Sequence, residues 1–117
     1  MKLMLSAALL AVSVLPAAAQ SIGGRYAVDG TNLDGSAYSG TATITLTSKT
    51  TCTIKWVTGG STSHGICSRN GNAFAAAYVL GNDVGLVIYK VNDDGSLSGL
   101  WTVAGQDGSG TEDLTPE

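Results

Sequence analysis

The chain has 117 residues and a formal net charge of −3, nine acidic side chains against six basic ones. The basic residues do not cluster, which excludes a nucleic-acid or anionic-membrane partner, because phosphate binding needs a basic stripe. At 44% hydrophobic and only 13% charged residues the chain has too much apolar surface to stay disordered, and its length suits one domain.

The first stretch is an address. Lys2 precedes an almost wholly apolar run from Leu3 to Leu15, followed by Pro16 and Ala17-Ala18-Ala19. That is the order of a secretory leader, with cleavage expected before Gln20. Residues 1–19 are therefore read as a signal peptide and residues 20–117 as a single domain. The apolar run is too short for a stable bilayer anchor, and no cysteine follows the site to accept a lipid. The processed protein is expected to be soluble, without a membrane anchor, and periplasmic or secreted. All 16 glycines lie in the processed part.

Gly24-Arg25-Tyr26-Ala27-Val28 reads as a first strand ended by Asp29-Gly30, with a turn at Asn32-Leu33-Asp34-Gly35. Tyr38 to Thr47 alternates: Tyr38, Gly40, Ala42, Ile44 and Leu46 share one face, and Ser39, Thr41, Thr43, Thr45 and Thr47 the other. The next hairpin runs from Thr51 to Arg69 about Gly59-Gly60. A two-residue turn there sets Cys52 directly opposite Cys67, close enough to bridge. In an oxidising compartment this pair reads as one disulfide rather than as metal or redox thiols, since no second ligand cluster accompanies it. Ile54 and Trp56 share the inward face of Cys52, and Gly65 opposite Ile54 reads as a small residue yielding space to a large neighbour.

After Asn70-Gly71, the strand Asn72 to Leu80 places Phe74, Ala76, Tyr78 and Leu80 inward. Gly81-Asn82 turns into Val84 to Val91, which is apolar on both faces, so Leu86 and Ile88 would form an exposed strip. Asn92-Asp93-Asp94-Gly95 turns into Leu97 to Gly105, with Leu97, Gly99, Trp101 and Val103 inward. Gly110, Glu112 and Leu114 share one face of a last short strand. The strings Asn32-Leu33-Asp34-Gly35-Ser36 and Asn92-Asp93-Asp94-Gly95-Ser96 echo one another. They record either a duplicated half-barrel or turn chemistry that recurs by itself.

About eight short strands with glycine-marked turns and no helical period define an all-β fold, a small antiparallel up-and-down barrel or alternatively a β-sandwich. Closing the last strand onto the first would remove the sheet edges. An outer-membrane barrel fits poorly, because the outward positions carry Thr, Ser and Lys rather than an apolar band.

No catalytic set emerges. His64, the single histidine, falls on an outward position near a loop, with no nucleophile coupled to it. The Asp93-Asp94-Gly95 and Asp107-Gly108-Ser109 turns lack the alternating ligands of a calcium loop. Neither a metal nor any other cofactor is expected. Glu112 faces inward, where a lone carboxylate is costly. It must pair with Arg25 or with a tyrosine hydroxyl, unless the register slips and exposes it. The aromatic residues, Tyr26, Tyr38, Trp56, Phe74, Tyr78, Tyr89 and Trp101, nearly all fall on inward positions. They either pack as core or, Tyr89 apart and with Glu112, line a cup at one barrel mouth, the usual place for an apolar ligand in this architecture.

The strings Gly24 to Val28, Asp34 to Gly40, Trp56 before Gly59-Gly60, Ser96 to Trp101 and Gly110-Thr111-Glu112 together resemble a group of small exported proteobacterial β-proteins often labelled fibronectin-binding-like. The resemblance spans nearly all of the processed chain, implies a small exported β fold, and carries no binding residues onto it. A weaker likeness, through Gly-x-aromatic strand starts and the Asp94 to Gly99 turn, is to the lipocalin and avidin (calycin) superfamily; avidin's opening motif, with its Trp and Asn, is missing. The expected function is a non-enzymatic exported binding module for a small apolar ligand or a protein surface. The alternative is a cell-envelope interaction protein, an adhesin or an inhibitor of an exported hydrolase, acting through its loops and outer face at Leu86 and Ile88.

Overall fold

Alternation of period two, broken by glycine turns, produces eight antiparallel strands: β1 (Gly24–Thr31), β2 (Ala37–Leu46), β3 (Thr51–Thr58), β4 (Ser61–Asn70), β5 (Ala73–Leu80), β6 (Asp83–Val91), β7 (Leu97–Val103) and β8 (Gly110–Pro116). They come from a computed structural model that describes residues 21–117; the expected leader and its cleavage point lie outside the described residues. Each strand pairs with its chain neighbours, and β8 returns to β1 from Thr31↔Thr111 to Tyr26↔Pro116. The sheet is a closed up-and-down barrel, not a sandwich. Closure leaves no unpaired edge to template aggregation.

The β3–β4 hairpin has the expected register. Gly59 and Gly60 take φ values of +55° and +79°, the pair of positive values that a twist-matched two-residue turn demands. Thr58 then faces Ser61, and Cys52 faces Cys67. The two cysteines form a disulfide across the pair, Cα to Cα 4.9 Å.

Two local expectations change. First, β1 does not end at Asp29-Gly30. It continues to Thr31, with Gly30 paired to Tyr38 on one side and to Glu112 on the other. Gly30 is needed there because a Cβ would lie 2.3 Å from the Tyr38 ring and 2.5 Å from the Thr111 carbonyl oxygen. Second, Gly65 yields space to the β5 backbone rather than to Ile54: an added Cβ would meet the Ala77 carbonyl oxygen at 2.2 Å.

The turn echo is real in structure but is no duplicated half-barrel. In both turns the Asn main-chain N–H donates to the Ser carbonyl, and the Asp carboxylate accepts from the Ser N–H at 2.9 Å and from the Ser hydroxyl. The first turn joins β1 to β2 and the second joins β6 to β7, five strands on. In an up-and-down barrel an odd offset puts them at opposite ends, whereas a repeat of four strands would keep them at the same end. The strings recur because one Asx-turn chemistry suits both places.

The two ends of the barrel differ. The β2–β3, β4–β5 and β6–β7 turns share the base with both described chain ends. There Ile22, Tyr26, Ile44, Cys52, Cys67, Phe74, Val91 and Leu97 are buried, and the Tyr26 hydroxyl donates to the Ile22 carbonyl at 2.7 Å. The β1–β2, β3–β4, β5–β6 and β7–β8 connections surround the mouth. Leu46 at the base and Leu80 at the mouth, both on inward phases, are strand-end residues that stay 43% and 39% exposed.

Candidate functional site

At the mouth the interior is hollow. A cavity of about 270 Å³ is walled by Tyr38, Trp56, Tyr78 and Trp101, floored by Val87 and Glu112, and rimmed by Asn32, Thr58, Ser61, Leu80 and Val103. Three of the four wall rings, and Tyr89 with them, sit in a recurring cross-strand pairing of an inward aromatic with a glycine, whereas Trp56 faces Ala42 and Ser63. Tyr38 pairs with Gly30, Tyr78 with Gly85, Tyr89 with Gly99 and Trp101 with Gly110. In each pair the ring occupies the space a Cβ on the glycine would need; at Gly85 that atom would sit 2.0 Å from the Tyr78 ring. The rings therefore lie against the barrel wall instead of filling its centre, which supports tight sheet curvature and leaves the mouth open.

Two edge-to-face aromatic pairs result: Tyr38 with Trp101, ring centroids 6.2 Å apart, and Trp56 with Tyr78, 5.3 Å apart. Each ring also has its polar atom satisfied. Tyr78 donates to the Thr102 carbonyl at 3.1 Å, and the Trp101 indole N–H to the Thr111 carbonyl at 3.2 Å.

Glu112 joins the two pairs. Its Oε1 accepts from the Tyr38 hydroxyl at 2.9 Å. Its Oε2 accepts from the Trp56 indole N–H at 3.0 Å and from the Tyr89 hydroxyl. The side chain is inward and 6% exposed. Arg25 is not its partner: that guanidinium lies on the outer surface, 2.8 Å from Glu117. Burial pushes the Glu112 carboxyl above the ordinary glutamate range, against the three hydrogen bonds that favour its ionised form. Burial, reinforced by the Glu112 charge, raises the Tyr38 and Tyr89 hydroxyls well above the usual tyrosine value and Tyr78 to about 12.

Of the residues singled out from sequence, Tyr38, Trp56, Tyr78, Trp101 and Glu112 are brought together at the mouth. Tyr26 and Phe74 are not. Tyr26 packs at the base, and Phe74, with no exposed surface, stacks on Tyr89 at 5.4 Å. Sequence reasoning missed Tyr89 as a partner of Glu112. Its inward phase with Val87 and Val91 could have placed it inside, but nothing in the sequence says which inward tyrosine reaches which carboxylate. Leu86 and Ile88 lie on the outer wall, 45% and 58% exposed. His64 is exposed beside Lys55.

No family model and no curated protein matches the chain. Solved structures do. The chain is similar to a redesigned β-barrel (16% identity, TM-score 0.72, covering 82% of this chain and 91% of that one). It is also similar to the redesigned β-barrel mFAP1 bound to DFHBI (17%, 0.70, 80% and 94%) and to a de novo designed fluorescence-activating β-barrel (17%, 0.67, 86% and 97%). At such identities the likeness establishes the small-barrel fold. Membership of the fibronectin-binding-like group or of the calycins is carried by neither the structure nor the comparisons.

Proposed function

We propose that the protein is a non-enzymatic exported binding module that takes a small, largely apolar ligand in the mouth of its barrel. The carrying observation is the open aromatic cup above a base that is fully packed. A chain that needed only a stable core would have no reason to hold four rings against the wall around empty space. The similar redesigned barrel mFAP1 is bound to DFHBI, which supports a barrel of this size taking a ligand. The leader-like N-terminal stretch and the disulfide support export to the periplasm or beyond. The test is native mass spectrometry of the protein taken from its own cell envelope, before and after gentle unfolding. An extra mass lost on unfolding is expected, of a size suited to a few hundred Å³ at most. A bare mass both before and after would overturn the reading.

One observation favours a second reading. Ile66, Ala77 and Leu86 adjoin across β4–β6, and Ala75, Ile88 and Leu100 adjoin across β5–β7; the four large side chains among them are 45–70% exposed. A continuous apolar face of this kind supports an envelope interaction protein working through its outer wall. Changing Leu86 and Ile88 to Thr should abolish capture of an exported protein partner without unfolding the barrel; unchanged capture sinks this reading.

A further inference from the structure

We infer that the ligand of the cup is a small arylalkylammonium ion, its cation against Glu112 and its aryl group between the two ring pairs; this rests on the reading of the cup as a ligand site. Three observations lead there. First, the floor carries a carboxylate with no cation. Among the described residues that line the cup none is Lys, Arg or His, and the partners of Glu112 are the neutral donors Tyr38, Trp56 and Tyr89. A buried carboxylate so placed has its hydrogen bonds but not its counter-charge.

Second, the acceptor sites are unequally used. A carboxylate offers about four lone-pair positions, two on each oxygen. Oε2 accepts two bonds, from Trp56 and Tyr89, while Oε1 accepts one, from Tyr38. One position therefore remains, on the oxygen held by Tyr38. A ligand N–H completes the set.

Third, the walls suit a cation. Trp56, Tyr38, Trp101 and Tyr78 present π systems around the carboxylate, and ring faces attract ammonium groups, most strongly when water is excluded. The cavity of about 270 Å³ corresponds to roughly nine water-sized volumes, which sets the ligand near ten heavy atoms. An ammonium group with a short linker and one aryl ring fills it.

The experiment compares three probes of equal heavy-atom count: 2-phenylethylammonium, 2-phenylethanol and propylbenzene. Both tryptophans of the chain line the cup, so intrinsic fluorescence reports occupancy directly, with calorimetry as a check. The ammonium ion is expected to bind about tenfold or more tighter than the alcohol, and Glu112→Gln is expected to erase that preference. Should the variant not fold, the unaltered protein still decides. From about pH 8 to about pH 4, where the probe stays charged and a carboxyl protonates, ammonium affinity should fall several-fold while alcohol affinity holds steady. The groups facing Glu112 from the other strands are Tyr38, Trp56, Tyr78 and Tyr89, none of which titrates in that range; Asp113, beside it in the chain, points outward. If the alcohol or propylbenzene binds as well as the ammonium ion, the cation assignment is overturned while the ligand cup stands. If none of the three binds, both are overturned.

Discussion

Glu112 is one residue on which the mouth depends, and its partners make its substitutions informative. Glu112→Ala would leave the Trp56 and Tyr89 donors without their acceptor, leave Tyr38 only the Thr111 carbonyl at 3.3 Å, and open a void beneath them. We expect a loss of about 3 kcal/mol of unfolding free energy in urea titrations. Glu112→Gln behaves differently. An amide oxygen at the Oε2 position still accepts from Trp56 and Tyr89, and its NH₂ at the other position can donate to a reoriented Tyr38 hydroxyl. The pH dependence has a definite sign. Because burial raises the native carboxyl pKa, the native state binds this proton more tightly than the unfolded chain does. Stability from this group is greatest below the ordinary glutamate value and declines as pH rises through the raised native one. The wild type should therefore lose stability relative to Glu112→Gln between about pH 4 and about pH 8; a relative gain would mean that the three donors outweigh desolvation. In the sequence, the inward phase of Glu112 and its need for a partner were legible from strand parity. Which partner it takes was not. Trp56 and Tyr89 reach it across the interior from β3 and β6, and that depends on how the closed sheet is sheared.

Among the elements, the β3–β4 hairpin was the most legible, because a two-residue turn fixes register without reference to anything else in the fold. Replacing both Cys52 and Cys67 with Ala should lower stability by about 3 kcal/mol, as expected for a closed loop of this size, measured by the urea midpoint with and without reductant. Reductant should leave the double variant's midpoint unchanged. Strand β1 was less legible, since Asp29-Gly30 has turn chemistry. The barrel overrides it because Gly30 must lie under Tyr38 next to the β8 seam. Gly30→Ala should therefore cost about 2 kcal/mol, and it should also displace Tyr38 from Glu112, so that Trp101 emission shifts with it. An unshifted emission with full stability would show that the ring does not need that glycine. Parity likewise put Tyr26 and Phe74 on the inward face with the cup residues. It says nothing of height along the barrel axis, and height is what separates base from mouth.

For the molecule as a whole, the barrel, its eight strands and its single cross-strand disulfide were readable from turn spacing and alternation. Whether its interior is full or hollow was not, because that depends on where rings lie once neighbouring glycines admit them. The answer is both, filled at the base and open at the mouth. The outer wall is uneven too, with Thr and Lys across β2–β3 and exposed aliphatic side chains across β4–β7. Leu86→Thr with Ile88→Thr should leave the melting temperature within a few degrees of the wild type and reduce the binding of hydrophobic dyes to the folded surface; undiminished dye binding would place that surface elsewhere.

The separation of the two barrel ends also sets how the protein presents itself. Gly24 and Pro116 lie at the base, where the main-chain N–H of Glu117 donates to the Arg25 carbonyl at 3.0 Å, while the cup opens at the far rim. A bead, a surface or a fused domain joined at either described end therefore holds the barrel with its opening turned away from the attachment. Immobilised in this way, the protein stands as a receptacle facing the surrounding fluid.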